Sequence, residues 1–585
     1  VGLFNPLIYK RPTDTPRVQC QVQRFRRNLK IRKKDMQGNK LVHNFAQIPW
    51  TEIPRSSFSR SHTQKTTMDA GLLYPIYVDD MLPSDTFSVD LTVFGRMSNA
   101  TVVPFMDNLY FDIQCFIVPY RLVWDNFKKF MGERRSPGDS VDYLIPQVVA
   151  GSNGFGSDSL YDHMGVYPFA ANLSVSALFG RAYILTWNEW YRDENLQDWH
   201  NLSFGDGPDN VADFVILPRG KRHDYFTSSL PWPQKGESVM IPGSDTVSAP
   251  LSLTANGSLK LRQNGAGTSD IKNYANDGIN TFGAYNVSGS WGNTGSAGSG
   301  SAYMMYESGI GGTALIEGVP LVSVNILRQG FAAQRLLEKD ARGGTRYTEV
   351  IRTHFGTVSP DARQQRPEYV GGGTIMMNVS PIAQTSATDG NTPQGNLVAQ
   401  VTLANSKVSF TKSVTEHSIL LCLASIRADL TYQQGTNRMF FRKNRLDFYW
   451  PTLSHIGEQS VKLQEIYTQA PSVLAPDDET PYNEYVFGYQ EAWAEYRYYP
   501  SLITGKMRSK TQGAPDDYLS LDVWHLAQKF DNVPALNSEF IEENPPLQRV
   551  MSVTNEPPFI VDIVARVKAV RPMPVYSVPG LIDHY

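Results

Sequence analysis

Two stretches of this chain set cations and aromatic rings closely enough to hold a polyanion. Arg438–Trp450 (RMFFRKNRLDFYW) places Arg438, Arg442, Lys443 and Arg445 among five aromatic residues. Tyr496–Lys510 places Arg497, Lys506, Arg508 and Lys510 beside Tyr496, Tyr498 and Tyr499. Single-stranded nucleic acid is held by cationic grooves with stacking rings, each stack contributing roughly 1–3 kcal/mol. Arg, Tyr and Trp are also enriched where protein subunits meet. Both clusters are therefore read as nucleic-acid or interface residues.

A third basic region has no such ambiguity. Residues 1–40 carry eleven Lys and Arg against only Asp14 and Asp35, a local charge of +9. Lys10, Arg11, Arg17, Arg24, Arg26, Arg27, Lys30, Arg32, Lys33 and Lys34 are its candidate nucleic-acid contacts, since so many cations do not form a core. Apolar Val18, Val22, Phe25 and Leu29 run between them at helical spacing, or in a segment that orders on a partner.

Enzymatic patterns fail. There is no H-E-x-x-H, no G-x-S-x-G and no phosphate-binding G-x-x-x-x-G-K-[ST]; Gly505–Lys506 is followed by Met507. The ten histidines are scattered, so no zinc site is expected. The acid pairs Asp79–Asp80, Asp516–Asp517 and Glu542–Glu543 could serve glycoside chemistry, but neighbours in a strand point to opposite faces. A divalent cation at a subunit contact is the better use for them, with nothing specific to support it. The Gly clusters at 309–312 and 371–373 read as turns.

The elements behind these residues read as mostly β. Phe87, Val89, Leu91 and Val93 alternate with polar residues over Asp85–Phe94. Asp107–Pro119 alternates likewise, with Leu109, Phe111, Ile113, Cys115 and Ile117 on one face. Further strands are expected over Asn396–Thr411, Ser418–Thr431 and Phe559–Val570. Helices are expected over Leu122–Gly132, Ala182–Leu196 and Ser323–Arg342, the last ended by Gly343–Gly344. Tyr183, Trp187, Trp190 and Tyr191 share one helix face, read as packing onto a sheet. Residues 244–303 are rich in Gly, Asn, Ser and Thr, too long for an ordinary connection, and read as a surface insertion. Tyr274, Tyr285 and Trp291 within it argue for partial structure and are candidate protrusion or receptor contacts.

The 585 residues allow three or four domains, or one large one. Charged residues are 19% and aromatics 11%, and Gly (45) and Pro (37) are abundant, a balance that favours β structure with many turns. The net charge of −3 is a cancellation: outside the arm, 43 basic residues face 55 acidic ones. Cys20, Cys115 and Cys422 are far apart and odd in number, so no disulfide framework is expected and a reducing compartment is inferred. No apolar run is long enough for a membrane span, and residues 1–30 contain no apolar signal core. The economical organisation is a basic arm (1–40) and one β-domain (41–585) with the 244–303 insertion in its loops; two unrelated domains are the rival.

Long blocks of rare residues then resemble one family. They are 53–87 (IPRSSFSRSHTQKTTMDAGLLYPIYVDDMLPSDTF), 106–133 (MDNLYFDIQCFIVPYRLVWDNFKKFMGE), 222–236, 335–373, 448–459 (FYWPTLSHIGEQ), 487–509 and the terminal PGLIDHY. Together they resemble the major capsid proteins of the gokushovirus branch of the microviruses, small icosahedral bacteriophages with circular single-stranded DNA. The match is weakest over 137–180 and 244–303.

The resemblance implies a mainly β fold, an eight-stranded antiparallel jelly roll of the viral capsid type with long loops and a few helices. It implies self-assembly of sixty copies into a T=1 icosahedral shell around the genome, with no cofactor and no enzymatic activity. It places the insertion at three-fold protrusions and makes host attachment through a bacterial surface receptor its expected role. Expected partners are other copies of the chain, single-stranded DNA, and small basic DNA-associated and pilot proteins of the virion. The chain is expected in the virion after synthesis and assembly in the bacterial cytoplasm, without membrane insertion. The competing reading is a carbohydrate-binding or glycoside-cleaving jelly roll, which would be a monomer or small oligomer.

Overall fold

The structure is a computed structural model that describes residues 53–237, 324–386, 388, 394–509 and 520–576, with short β segments at 260–263, 268–270 and 302–303. Five strands come in quick succession: β1 (Ser56–Ser59), β2 (His62–Met68), β3 (Tyr74–Met81), β4 (Thr86–Met97) and β5 (Leu109–Pro119). β6 (Gln147–Val149) and β7 (Ser174–Ser176) form a small antiparallel pair, and β8 (Lys260–Gln263), β9 (Thr268–Asp270) and β10 (Ala302–Tyr303) a separate small sheet. Then come β11 (Glu368–Met376), β12 (Asn378–Ala383), β13 (Leu397–Ser413) and β14 (Ser418–Ala428). β15 (Glu458–Lys462) and β16 (Val486–Glu491) pair in the next connection, and β17 (Phe559–Arg571) follows.

Two antiparallel sheets make the body. In the six-stranded sheet the order is β1-β17-β4-β13-β12, with β2 also paired to β17. In the four-stranded sheet it is β11-β5-β14-β3. Strands from both ends of the chain therefore interleave within each sheet. Period-two alternation drives the packing: Phe87, Val89, Leu91 and Val93 of β4 are fully buried, and Val561, Ile563, Ala565 and Val567 of β17 nearly so. They meet Leu109, Phe111 and Ile113 of β5 and Leu420, Ala424 and Ile426 of β14 in one apolar core between the sheets. The expected strands at 85–94, 107–119, 396–411, 418–431 and 559–570 all occur, with ends shifted by a few residues.

The middle strands of the four-stranded sheet, β5 and β14, are covered on their other side too. Phe116, Leu421 and Leu423 pack against Tyr183, Ile184 and Trp187 of the helix Leu178–Trp190. The aromatic face of this helix does pack on the sheet. The Tyr183 hydroxyl donates to the Leu73 carbonyl at 2.9 Å, and Trp187 Nε1 to the Pro218 carbonyl at 2.7 Å. The helix Val324–Gly343 ends where Gly344 takes a φ of 83°, as the Gly pair required.

Three expectations are corrected. Leu122–Gly132 is not one helix but a 3-10 turn at Tyr120–Leu122 and a single turn at Phe127–Phe130. Buried Trp124 interrupts them, anchored through Nε1 to Asp206 at 2.7 Å. Gly371–Gly373 is not a turn but lies inside β11, where a Cβ on Gly372 would sit 2.4 Å from the Ile113 carbonyl oxygen. Glycine there serves close strand approach next to a β-bulge. Finally, Cys115 and Cys422 form a disulfide, directly opposite each other on β5 and β14 with Cα atoms 4.0 Å apart. Their 307-residue separation left no spacing signal in the sequence.

Candidate assembly and nucleic-acid interface

The long connection from β14 to β17 builds a core of its own from Tyr432, Val461, Leu463, Ile466, Phe487 and Phe540, with Tyr225 and Phe226 from an earlier loop. Its outer surface is made of short 3-10 turns rather than regular elements: Arg438–Phe441, Arg445–Asp447, Pro451–Leu453 and Ala494–Tyr496. Side chains that cap the backbone locally explain this choice. The Asn437 side chain accepts from the Met439 amide at 3.0 Å, and Asp447 accepts from the Lys443 and Asn444 amides at 2.7 Å each. Those two bonds hold the Asp447 carboxyl below its usual range.

The fold merges the two basic–aromatic clusters into one surface. Trp493 sits at a φ of 66° and donates from Nε1 to the Leu453 carbonyl at 3.2 Å. Tyr449 packs edge-on to Trp493 at 5.9 Å between ring centroids and lies 6.3 Å from Tyr496. The Tyr449 amide donates to the Tyr496 hydroxyl at 3.4 Å. Around this junction Phe440 and Tyr499 stand 70% and 65% exposed, with Phe448, Tyr496 and Tyr498 about half exposed. Exposed aromatic side chains of this kind are enriched where proteins meet.

The cations of this surface divide into two groups. Arg438 donates to the Ser460 carbonyl at 2.7 Å and pairs with Glu465 at 3.2 Å. Arg442 pairs with Glu495 at 3.4 Å and lies 4.2 Å over the Tyr496 ring. Arg497 pairs with Glu491. Arg445 stacks on Trp450 at 4.6 Å, and Arg508 donates to the Ile503 carbonyl at 3.1 Å. Lys443 and Lys506 are exposed and, among the described residues, take part in no ion pair. Three of the seven cations are thus neutralised by the chain's own carboxylates, which moves the patch from a phosphate track toward a protein contact.

Glu465, Glu495 and Trp493 were not singled out in the sequence, because partners 27 to 53 residues apart leave no local pattern; Glu491 was missed although its partner Arg497 is close in sequence. Glu465 is the most buried of these acids. Burial pushes its carboxyl above the usual range against the pull of Arg438, the Lys462 amide and the Tyr225 hydroxyl, which donates to it at 2.8 Å.

The other candidates separate cleanly. The ten arm residues from Lys10 to Lys34 lie outside the described residues, as do Tyr274, Tyr285, Trp291 and the pair Asp516–Asp517. Asp79 and Asp80 do not face each other. Asp79 is buried and accepts from Arg60 at 2.5 Å and from the Tyr77 hydroxyl at 2.7 Å, while Asp80 accepts from the Tyr120 hydroxyl at 3.1 Å. Glu543 accepts from the Ala428 amide at 3.2 Å, and Glu542 accepts from Gln197 and Ser538. These acids hold loops to the sandwich. Among the described residues, no three His, Cys, Asp or Glu side chains converge as a metal ion requires. No helix there is long and apolar enough to cross a membrane.

Comparison with known proteins gives this surface its context. The family described as "Capsid protein (F protein)" matches residues 46–581. The capsid protein VP1 of Bdellovibrio phage phiMH2K is 41% identical over 549 residues, 93% of this chain and 98% of that protein. The capsid protein VP1 of Chlamydia phage 1 is 38% identical over 601 residues (92% and 98%), and that of Spiroplasma virus 4 is 35% identical over 575 (94% and 100%). With a match that spans both sheets and the long connection between them, the chain belongs to the phage capsid protein (F protein) family.

Proposed function

We propose that this capsid protein is an eight-stranded jelly roll whose sixty copies close a T=1 icosahedral shell around circular single-stranded DNA. The strand order is the observation that carries the reading. β2, β17, β4 and β13 lie side by side in one sheet, and β3, β14, β5 and β11 in the other. Taken in chain order, these eight strands cross from sheet to sheet at every step except β5 to β11. A jelly roll is wound in this way, and its edges need cover from loops or neighbouring copies. In a closed shell each copy must bury several different surfaces. The exposed aromatic surface around Tyr449 and Tyr496 fits one of them.

Under this proposal residues 41–585 form a single unit, with 1–40 as the basic arm and 244–303 as the insertion. The arm neutralises phosphate inside the shell, together with small basic co-packaged proteins. The insertion stands at the three-fold axes and meets the bacterial receptor. The role is structural rather than enzymatic, and the shell assembles in the bacterial cytoplasm. Negative-stain microscopy of the purified protein tests the reading: particles about 250–300 Å across are expected from sixty such domains. A compact monomer under conditions where the phage is intact sinks it. Deleting 256–300 is expected to spare the shell and reduce host adsorption; loss of assembly would give the insertion a trimer-stabilising role instead.

A further inference from the structure

We infer that the outward face of the six-stranded sheet, away from the core, is a second binding surface for single-stranded DNA, and hence the side of the sandwich that faces the genome. The inference rests on the shell reading and adds to it an orientation and a site. On β17 the residues between the buried Val561, Ile563, Ala565 and Val567 point away from the core, as do those between Phe87, Val89, Leu91 and Val93 on β4. This outward side is open: Phe94 is 53% exposed and Ile560 40%. In the four-stranded sheet the equivalent side of β5 and β14 is covered by the helix Leu178–Trp190.

What stands on the open side is chosen for a polyanion. Lys65, Arg96, Arg566 and Lys568 are all exposed. The two acids of the face on β4 and β17, Asp90 and Asp562, lie lower and half-buried, opposite Arg566 and Lys65 in the strand register. The long cationic side chains therefore rise above the short acidic ones. Between them the face is paved with hydroxyls, such as the Ser88–Thr411 pair at 3.0 Å. Hydroxyls and cations on an open sheet bind phosphates without reading sequence. Phe94, two residues from Arg96 on the same side, offers a ring on which a base can stack.

The test uses the full chain, wild type and a Lys65→Gln/Arg566→Gln/Lys568→Gln variant, with an oligothymidylate as probe. Three lost phosphate contacts lower the slope of log affinity against log salt by about 2. An unchanged slope overturns the proposal, and this arm of the test does not depend on shells forming. In particles, a small amine reagent is expected to modify Lys65 and Lys568 in DNA-free shells and to spare them in full ones. Labelling in full shells means the face points outward; protection in both means that a neighbouring copy seals it; either result overturns the proposal. If wild-type protein forms no shells, the shell reading falls, and the slope still decides the face.

Discussion

In the four-stranded sheet β14 is buried at every position from Ser418 to Ala428, whereas β17 in the six-stranded sheet alternates buried and open. One strand lies between two apolar layers and the other between a core and water. The sequences say as much: SILLCLASI is a near-continuous apolar run, and FIVDIVARVK alternates with Asp562, Arg566 and Lys568. A strand covered on both sides fixes position, because a substitution of either parity disturbs packing. A strand covered on one side leaves half its residues free for a partner.

The largest expected effect tests that difference directly. Leu421→Ala, on the β14 side that faces the helix Leu178–Trp190, is expected to cost about 2–5 kcal/mol in urea unfolding. Ile560→Ala on the open side of β17 is expected to stay within about 0.5 kcal/mol. Equal losses at the two positions would break the comparison. A smaller but clear effect is expected at Gly372→Ala, where the added Cβ meets the Ile113 carbonyl: about 1–3 kcal/mol, read in the same assay.

The next prediction separates the sandwich from the β14–β17 connection. Burial raises the Glu465 carboxyl above its unfolded value near 4.3. Its folded form therefore holds the proton longer than the unfolded form. The stability this contributes is complete below the unfolded pKa and is lost as pH rises through the raised folded one. Glu465→Gln keeps a hydrogen-bond acceptor for Tyr225 and cannot titrate, so its stability curve is expected to be flatter over that window in urea melts at stepped pH. Superimposable curves would remove Glu465 as the source. The smallest effect on stability belongs to the exposed surface. Phe440→Ala with Tyr499→Ala is expected to shift unfolding by no more than about 0.5 kcal/mol while lowering particle yield. Unchanged yield would show that this surface is not a contact between copies.

Much of this was legible before any coordinates. Period-two alternation marked β4, β5 and β17, and the Gly343–Gly344 stop marked the end of a helix, because these signals are local. The two basic–aromatic clusters were legible as chemistry but not as one surface. Their union runs through Tyr496, which accepts from the Tyr449 amide across 47 residues and carries Arg442 over its ring. The Cys115–Cys422 pair was invisible for the same reason: it follows from the register of β5 against β14, which spacing does not encode. Gly371–Gly373 misled because glycine serves both turns and close strand approach, and only the neighbouring Ile113 carbonyl decides between them.

The place of β17 between β4 on one side and β1 and β2 on the other sets a timetable for the newborn chain. More than 460 residues separate the end of β4 at Met97 from the start of β17 at Phe559. At bacterial synthesis speeds of roughly 5–20 residues per second, β4 waits on the order of half a minute or longer for its neighbour. Through that interval its ladder of amides and carbonyls is unmatched on one flank, and chance pairing with another nascent chain is the hazard. A polypeptide that stops short of Phe559 lacks the strand that joins β4 to β1 and β2, so it cannot complete the six-stranded sheet, whatever that sheet later meets.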